Sequence, residues 1–150
     1  MDYEILKEQV EDLLKAEPYF VSAMANISAL LMESMDELNW AGFYLMKDGH
    51  LTVGPFQGKP ACIRIPVGKG VCGTAVLEKR SLLVKDVHEF EGHIACDSAS
   101  ESELVVPLFQ NGEVIGVLDM DSPRKGRFTE EDLEGLSRIA EIIGGELSFS

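Results

Sequence analysis

Three cysteines are the residues of this sequence best suited to chemistry. Cys62, Cys72 and Cys96 lie in segments rich in glycine, histidine or aspartate, which are typical of loops and strand ends. Because their number is odd, a framework made only of structural disulfides is excluded. A thiolate of lowered pKa is the nucleophile in thiol chemistry, and a second cysteine can trap an oxidised first one as a disulfide. The pattern predicts reactive thiols, with a buried inert thiol as the alternative for Cys72.

Zinc binding is the rival use of the cysteines together with His93. The gaps between successive cysteines are nine and twenty-three residues, and no C-x-x-C pair occurs. This spacing is unlike that of structural zinc sites, so no metal is predicted. His88 and His93 lie in a polar segment and are interpreted as loop residues. The glycine-rich GKGVCG segment matches neither the P-loop nor the dinucleotide-binding pattern, so no nucleotide site is predicted.

Three carboxyl groups are expected to lie together. Asp119 and Asp121 end the segment EVIGVLDMD, where the alternation of a strand puts both side chains on one face. Glu103 begins the strand that pairs with this one through the Asn111-Gly112 turn. Neighbouring carboxylates repel, so at least one pKa should rise. The cluster indicates either a ligand ammonium or a carboxyl kept protonated as an acid, and a solvated strand end is the alternative.

Trp40, Gly42 and Tyr44 share one face of another predicted strand, NWAGFYL. Gly42 leaves space between two large rings, which would form an aromatic slot for a small apolar or cationic group. Aromatic packing in the core is the alternative, and this segment does not decide between them.

The elements that must position these residues follow from periodicity and turn signals. Two N-terminal helices are predicted on either side of Pro18, and a final helix is capped by Thr129 with Asp132 at the capping-box distance. Between them, strands are predicted at NWAGFYLM, HLTVG, ACIRIP, SLLVKDV, ELVVPLF and EVIGVLDMD, with a short helix from Gly70 to Glu78. Helices at both ends and mostly antiparallel strands between them indicate an α+β fold, with helices packed on one face of a sheet.

Composition bounds the class of protein. The 150 residues are predicted to form one domain, 1–150, and they carry a net charge of -13. Such an acidic surface repels nucleic acid and anionic membrane, so neither is predicted as a partner. The sequence shows no export signal and no apolar run of the ~20 residues that span a bilayer. We therefore expect a cytoplasmic protein, where a cysteine pair is more often catalytic or redox-sensing than structural.

With these segments described, the sequence resembles the free methionine-(R)-sulfoxide reductases, a family built on the GAF domain. The resemblance runs from about Asn39 to the last helix, through NWAGFYL, LTVGPFQGKPACIRIPVGKGVCGTA, DVHEFEGHIACDSASESELVVPL and GVLDMDSP. It implies a central antiparallel six-stranded sheet, with the N- and C-terminal helices on one face and a loop-covered pocket on the other. A non-catalytic GAF module that senses a small ligand or the redox state is the alternative, because a fold does not fix a function.

The resemblance also implies roles for the cysteines. Cys96 matches the catalytic nucleophile, Cys62 matches the main resolving cysteine, and Cys72 matches an auxiliary third one. The family's substrate-pocket positions fall on Trp40, Tyr44, Glu103, Asp119 and Asp121.

From these positions we expect the following reaction. The Cys96 thiolate attacks the sulfoxide sulfur, and Glu103, or next Asp119, donates the proton that the oxygen needs. Asp119 and Asp121 hold the substrate ammonium, and backbone N–H groups near Ile94 and Ala95 hold its carboxylate. Cys62 then forms a disulfide with Cys96.

No cofactor is expected to be bound. A thioredoxin-like dithiol reduces the disulfide, and the segment from His88 to Ser100 moves to bring the two cysteines together. Apolar faces on the terminal helices would support a homodimer.

Overall fold

Eleven elements make up the fold in a computed structural model, which describes residues 1–94, 96 and 98–150. The helices are α1 (Tyr3–Ala16), α2 (Phe20–Ser34), α3 (Gly70–Glu78) and α4 (Glu130–Glu146), with a short 3₁₀ helix at Val87–Glu89. The strands are β1 (Trp40–Lys47), β2 (His50–Gly58), β3 (Arg64–Pro66), β4 (Leu82–Val84), β5 (Ser102–Gln110) and β6 (Glu113–Ser122). The strands form one sheet in the order β3-β2-β1-β6-β5-β4, and each described pair is antiparallel. The predicted six-stranded antiparallel sheet is confirmed.

Two tight hairpins set the register of the longest strands. Asp48 and Gly49 have φ of 52° and 80°, and Asn111 and Gly112 have φ of 53° and 80°. Positive φ at both central residues is the type I′ geometry, which matches the twist of the strands that it joins. The predicted hairpin at Asn111-Gly112 is confirmed.

The terminal helices cover one face of the sheet. Side chains from α1, α2 and α4 pack with Phe43 of β1 and Leu118 of β6 in the larger core cluster. Residues on the alternate positions of the same strands, such as Tyr44 and Val117, lie in a second cluster with Cys72 of α3. Because a strand alternates its side chains, each strand serves both clusters. The prediction for the terminal helices is confirmed, and α3 lies on the opposite face.

The α4 helix begins with the predicted capping box. The Thr129 hydroxyl accepts a hydrogen bond from the Asp132 N–H at 3.2 Å, and the Asp132 carboxylate accepts one from the Thr129 N–H at 2.9 Å. Asp132 also accepts a hydrogen bond from the Tyr3 hydroxyl of α1. This cap therefore joins the first and last helices of the fold.

Two predicted strands are shorter than the sequence indicates. Only Arg64–Pro66 of ACIRIP and Leu82–Val84 of SLLVKDV form ladders. Both strands lie at ends of the sheet, where each has one neighbour, so few residues are held by pairing. Cys62 therefore lies just outside β3 rather than within it. Among the described residues, no helix is both long and apolar enough to cross a membrane.

Candidate functional site

A cavity with about 520 Å³ of empty space, its open mouth included, lies on the α3 face of the sheet. Side chains from the sheet, from α3 and from the segment before β5 line it. The lining comprises Trp40, Tyr44, Pro60, Ala61, Ile65, Gly70, Val71, Cys72, His93, Ile94, Cys96, Ser100, Glu103, Asp119 and Asp121. Nearly all of the predicted site residues therefore line this cavity. The two exceptions are Cys62, which contacts the apolar cluster beside the cavity, and Ala95, which lies outside the described residues.

Strand register brings the three carboxyl groups together. Glu103 of β5 lies opposite Asp121 of β6, and Asp121 in turn lies opposite Trp40 of β1. Asp119 occupies the next position on the same face of β6. Glu103 is 7% exposed and Asp119 is 5% exposed, so both carboxyls are buried among the aromatic and apolar lining. The predicted cluster is present in the structure, and the solvated strand end is not.

Burial is the largest cause of the raised pKa values in this cluster. Desolvation raises the pKa of Glu103 well above its ordinary value, and the nearby charge of Asp119 raises it further. Desolvation also raises the pKa of Asp119, followed by the charge of Asp121. These shifts favour protonated carboxylic acids near neutral pH. One oxygen of Asp119, Oδ1, is buried without a hydrogen-bond partner among the described residues.

Cys72 lies at the floor of the cavity beside these acids. Its thiol is buried, and its Sγ lies 3.9 Å from Oε2 of Glu103. Burial raises its pKa well above the ordinary value, and the charges of Asp119 and Glu103 add to the effect. A thiol in this setting stays protonated, which is the opposite of what an attacking cysteine needs.

Among the described residues, two groups of side chains have the spacing to hold a metal ion. Ligand atoms of Cys72, Glu103 and Asp119 lie within 4.8 Å of one another, and so do those of Asp86, His88 and Glu101. The first group would have to lose the protons that its raised pKa values favour. In the second group, the His88 ring already contacts both carboxylates, Asp86 at 2.9 Å and Glu101 at 3.2 Å.

Cys62 and Cys96 form a disulfide, with their Cα atoms 5.4 Å apart. The bond joins the segment just before β3 to the segment between the 3₁₀ helix and β5. The latter also closes on α3, because the Gly70 N–H donates to the Gly92 carbonyl at 3.2 Å. The structure is therefore that of the oxidised protein, and the pair implied by the sequence resemblance is the pair that is bonded.

The aromatic residues form a stack along one wall. The rings of Trp40 and Tyr44 are 5.7 Å apart, and Trp40 also stacks on Phe56 at 5.0 Å. Of the two alternatives for this face, the open slot at Gly42 is wrong and aromatic packing is confirmed. A Cβ built on Gly42 would lie 2.2 Å from Cβ of Phe56, so the space is filled by the neighbouring strand at an irregularity in the β1–β2 register. Gly42 permits this close approach.

Sequence reasoning missed several cavity residues. Pro60 and Ala61 lie in the segment GPFQGKPA, where no periodic pattern singles them out. Burial raises the pKa of the predicted residue Tyr44, with nearby Asp119 adding to the shift, so its phenol stays neutral.

Comparison with known proteins places this geometry in context. The pattern of the GAF domain family matches residues 22–147. The chain is 53% identical to the Escherichia coli free methionine-R-sulfoxide reductase over 137 residues, which cover 91% of this chain and 83% of that one.

Solved structures show the same similarity. The reduced form of the Staphylococcus aureus enzyme fRMsr has 50% identity and a TM-score of 0.94, and covers 99% of this chain and 96% of its own. Its complex with substrate has 49% identity and a TM-score of 0.93, and covers 99% and 97% of the two chains.

Proposed function

Because the chain belongs to the free methionine-R-sulfoxide reductases, a family of GAF domains, we propose that it reduces free L-methionine-(R)-S-oxide to L-methionine by thiol chemistry. One observation carries the mechanism: the Cys62–Cys96 disulfide lies at a cavity whose buried carboxyls favour their protonated forms. A thiol pair and a proton donor are the two things that sulfoxide reduction requires.

Substrate binding uses the acidic floor of the cavity. Asp121 and the unpartnered Oδ1 of Asp119 receive the substrate ammonium, and that cation repays the cost of burying charge there. This contact selects a free amino acid over a peptide-bound residue, which has no ammonium. Trp40 and Tyr44 form the wall that contacts the methyl group, and backbone N–H groups near Ile94 take the carboxylate.

Reduction then needs a nucleophile and an acid. In the reduced enzyme, the Cys96 thiolate attacks the sulfoxide sulfur, and Glu103 donates a proton to the oxygen. Methionine leaves with its sulfur reduced by two electrons, and Cys96 becomes a sulfenic acid, oxidised by two electrons. Burial suits Glu103 to this task because a carboxyl of raised pKa holds its proton to a higher pH than an exposed one.

Recycling goes through the observed disulfide. The Cys62 thiol condenses with the Cys96 sulfenic acid and releases water. A thioredoxin-like dithiol then reduces the bond, and no bound cofactor takes part. Cys72 has an auxiliary role, because its thiol is buried and protonated. We place this cycle in the cytoplasm, where dithiol reductants operate.

The segment 88–100 moves during the cycle. In the substrate-ready state it must hold Cys96 over the cavity, and in the oxidised state it holds Cys96 against Cys62. Identical positions of this segment in reduced and oxidised crystals would contradict the motion. We also propose a homodimer, which light scattering at several concentrations would test.

The experiment that tests the function measures methionine formed from free L-methionine-R-sulfoxide with a dithiol reductant. The S epimer and the N-acetylated R form are run beside it. Turnover of the free R form alone is expected. If no form is turned over by protein whose thiols are shown to be reduced, the chain is instead a GAF sensor of a small ligand or of redox state.

A further inference from the structure

Basic residues lie near Cys62 in the sequence of a chain that is otherwise strongly acidic. Lys59, Arg64 and Lys69 are all exposed, and the first two lie within three residues of Cys62. Residues 49–77 contain no aspartate or glutamate, although the chain has 26. Within the described part of the chain, the salt bridges involve none of these three basic side chains. Positive potential is therefore concentrated beside one sulfur of the disulfide.

Apolar side chains are exposed at both ends of β3. Ile63, which follows Cys62, is 68% exposed, and Leu77 of α3 is 62% exposed; these are the two most exposed large apolar side chains among the described residues. Leu77 reaches back over the turn after β3, because a Cβ built on Gly68 would lie 3.3 Å from its Cδ2. Exposed apolar side chains with charged residues near them are typical of protein contact sites.

At this place the backbone of β3 before Pro66 lies at the edge of the sheet, whereas the Pro66 carbonyl already accepts a hydrogen bond from the Lys69 N–H at 3.1 Å. β3 ends the sheet and pairs with β2 on one side. The carbonyl of Ile63 accepts a hydrogen bond from the Val53 N–H at 2.9 Å, which fixes the segment after Cys62 against the sheet. A terminal strand offers its outer edge to an extended segment of another chain.

The other sulfur has different surroundings. The segment that carries Cys96 also carries the exposed residues Glu89 and Glu91, and it contains no lysine or arginine. An acidic protein is therefore attracted on the Cys62 side of the disulfide and repelled on the Cys96 side.

We propose that the Cys62 surface, formed by Lys59, Ile63, Arg64, Lys69 and Leu77, is the docking site of the reductant, an acidic dithiol protein with an apolar rim around its attacking cysteine. The proposal rests on the proposed function, in which this disulfide must be reduced in every cycle. It specifies the kind of partner and also the sulfur that the partner attacks.

The electron transfer follows from this docking. A partner thiolate attacks Sγ of Cys62, the Cys62–Cys96 bond breaks, and Cys96 leaves as a thiolate. The partner's second thiol loses its proton and attacks the partner's first sulfur in the mixed disulfide. The bond between that sulfur and Cys62 breaks, and Cys62 leaves as a thiolate. The partner ends with an internal disulfide and has given up two electrons, and its two protons pass to the two departing sulfurs or to water.

The test compares two reductants on the full-length oxidised protein. Arg64→Glu and Ile63→Asp are each expected to lower the second-order rate constant for reduction by an acidic thioredoxin about tenfold or more. Reduction by dithiothreitol, which needs no docking surface, should stay within about twofold. Matched controls are Lys15→Glu and Ile5→Asp on α1, which remove an exposed basic or apolar side chain far along the chain. For the wild type, added salt should slow the thioredoxin reaction, and for Arg64→Glu the dependence should be weaker.

A thioredoxin with only its attacking cysteine identifies the sulfur. It should form a mixed disulfide that peptide mass spectrometry assigns to Cys62. Assignment to Cys96, or equal thioredoxin rates for the surface and control variants, overturns the proposal.

The proposed function is checked separately by single-turnover methionine formation in the same samples. If reduced wild type forms no methionine, the proposed function fails. If methionine forms normally and only the thioredoxin rates are unchanged, the docking site alone fails. A surface variant that folds poorly would also lose single-turnover activity. Because Arg64→Glu and Ile63→Asp change different side chains, either variant can test the surface if the other folds poorly.

Discussion

At the scale of single residues, burial separates the roles of groups that look alike in the sequence. Of the three cysteines, two share a disulfide and the third is a buried thiol held among carboxyls. Of the three clustered acids, Glu103 and Asp119 are almost fully buried, and Asp121 is partly exposed at the strand end. The same chemistry can therefore be assigned unequally: a partly exposed anion for binding and a buried acid for proton donation.

The cysteine roles make a stoichiometric prediction. Cys96→Ser should abolish methionine formation because it removes the proposed nucleophile. Cys62→Ser should release about one methionine per enzyme and then stop, because the disulfide through which the dithiol recycles the enzyme cannot form. Quenched single-turnover assays measure both. Cys72→Ser serves as the comparison and should retain most single-turnover activity; full multiple turnover by Cys62→Ser would remove its resolving role.

Glu103 makes a prediction about pH. Burial raises the pKa of this proposed donor well above its ordinary value, so the rate should fall as pH rises through the raised pKa and the proton is lost. Glu103→Gln should lower single-turnover methionine formation by roughly 10²–10⁴-fold and remove that alkaline fall. Glu113→Gln, an exposed carboxyl on β6, is the matched control. If Glu103→Gln keeps the wild-type rate and Asp119→Asn does not, the donor is Asp119.

At the scale of elements, strand pairing assembles the site, and a helix cap joins the first and last helices. The register of β1, β5 and β6 sets Trp40, Glu103 and Asp121 side by side from three separate parts of the sequence. On the far face, the cap of α4 also binds the first turn of α1 through Asp132. The local sequence predicts the hairpin and the cap, since each depends on residues a few positions apart.

The capping box gives a stability prediction. Thr129→Ala removes the side-chain acceptor for the Asp132 N–H and should cost about 1 kcal/mol of unfolding free energy. Urea denaturation of the oxidised protein measures it. Ser22→Ala, at an exposed position of α2, is the control and should change stability by less than about 0.5 kcal/mol. Equal effects of the two changes would contradict the role of the cap.

At the scale of the whole molecule, charge is unevenly placed. The chain has a net charge of -13, yet residues 49–77 carry no acid and surround the disulfide-forming Cys62. Inside the protein, the carboxyls of the cavity add a second electrostatic feature. They are buried without an internal cation in the described lining, so the empty site destabilises the fold whenever they ionise.

This burial predicts a dependence of stability on pH. Glu103 and Asp119 have folded pKa values above their unfolded values of about 4, so the folded state keeps protons that the unfolded state loses. Their contribution is therefore most favourable below pH of about 4 and declines as pH rises through the folded pKa values. Denaturation of wild type and Glu103→Gln from pH 5 to pH 9 should show a smaller decline in the variant. Parallel curves would mean that Glu103 does not keep its proton in the folded state.

The sequence by itself determined which reactive residues are present and the local structure around them. Alternation alone put Asp119 and Asp121 on one face, short-range turn and cap signals placed the hairpin and α4, and the family resemblance supplied the Cys62–Cys96 pair. These signals are readable because they depend on neighbours in the chain. Tertiary structure decided the rest. It buries Glu103 and so raises its pKa, and it packs Phe56 against Gly42. It also leaves Cys72 as a buried free thiol and exposes Ile63 next to basic residues. Each depends on which distant segments pack together, because desolvation and exposure are set by atoms far along the chain.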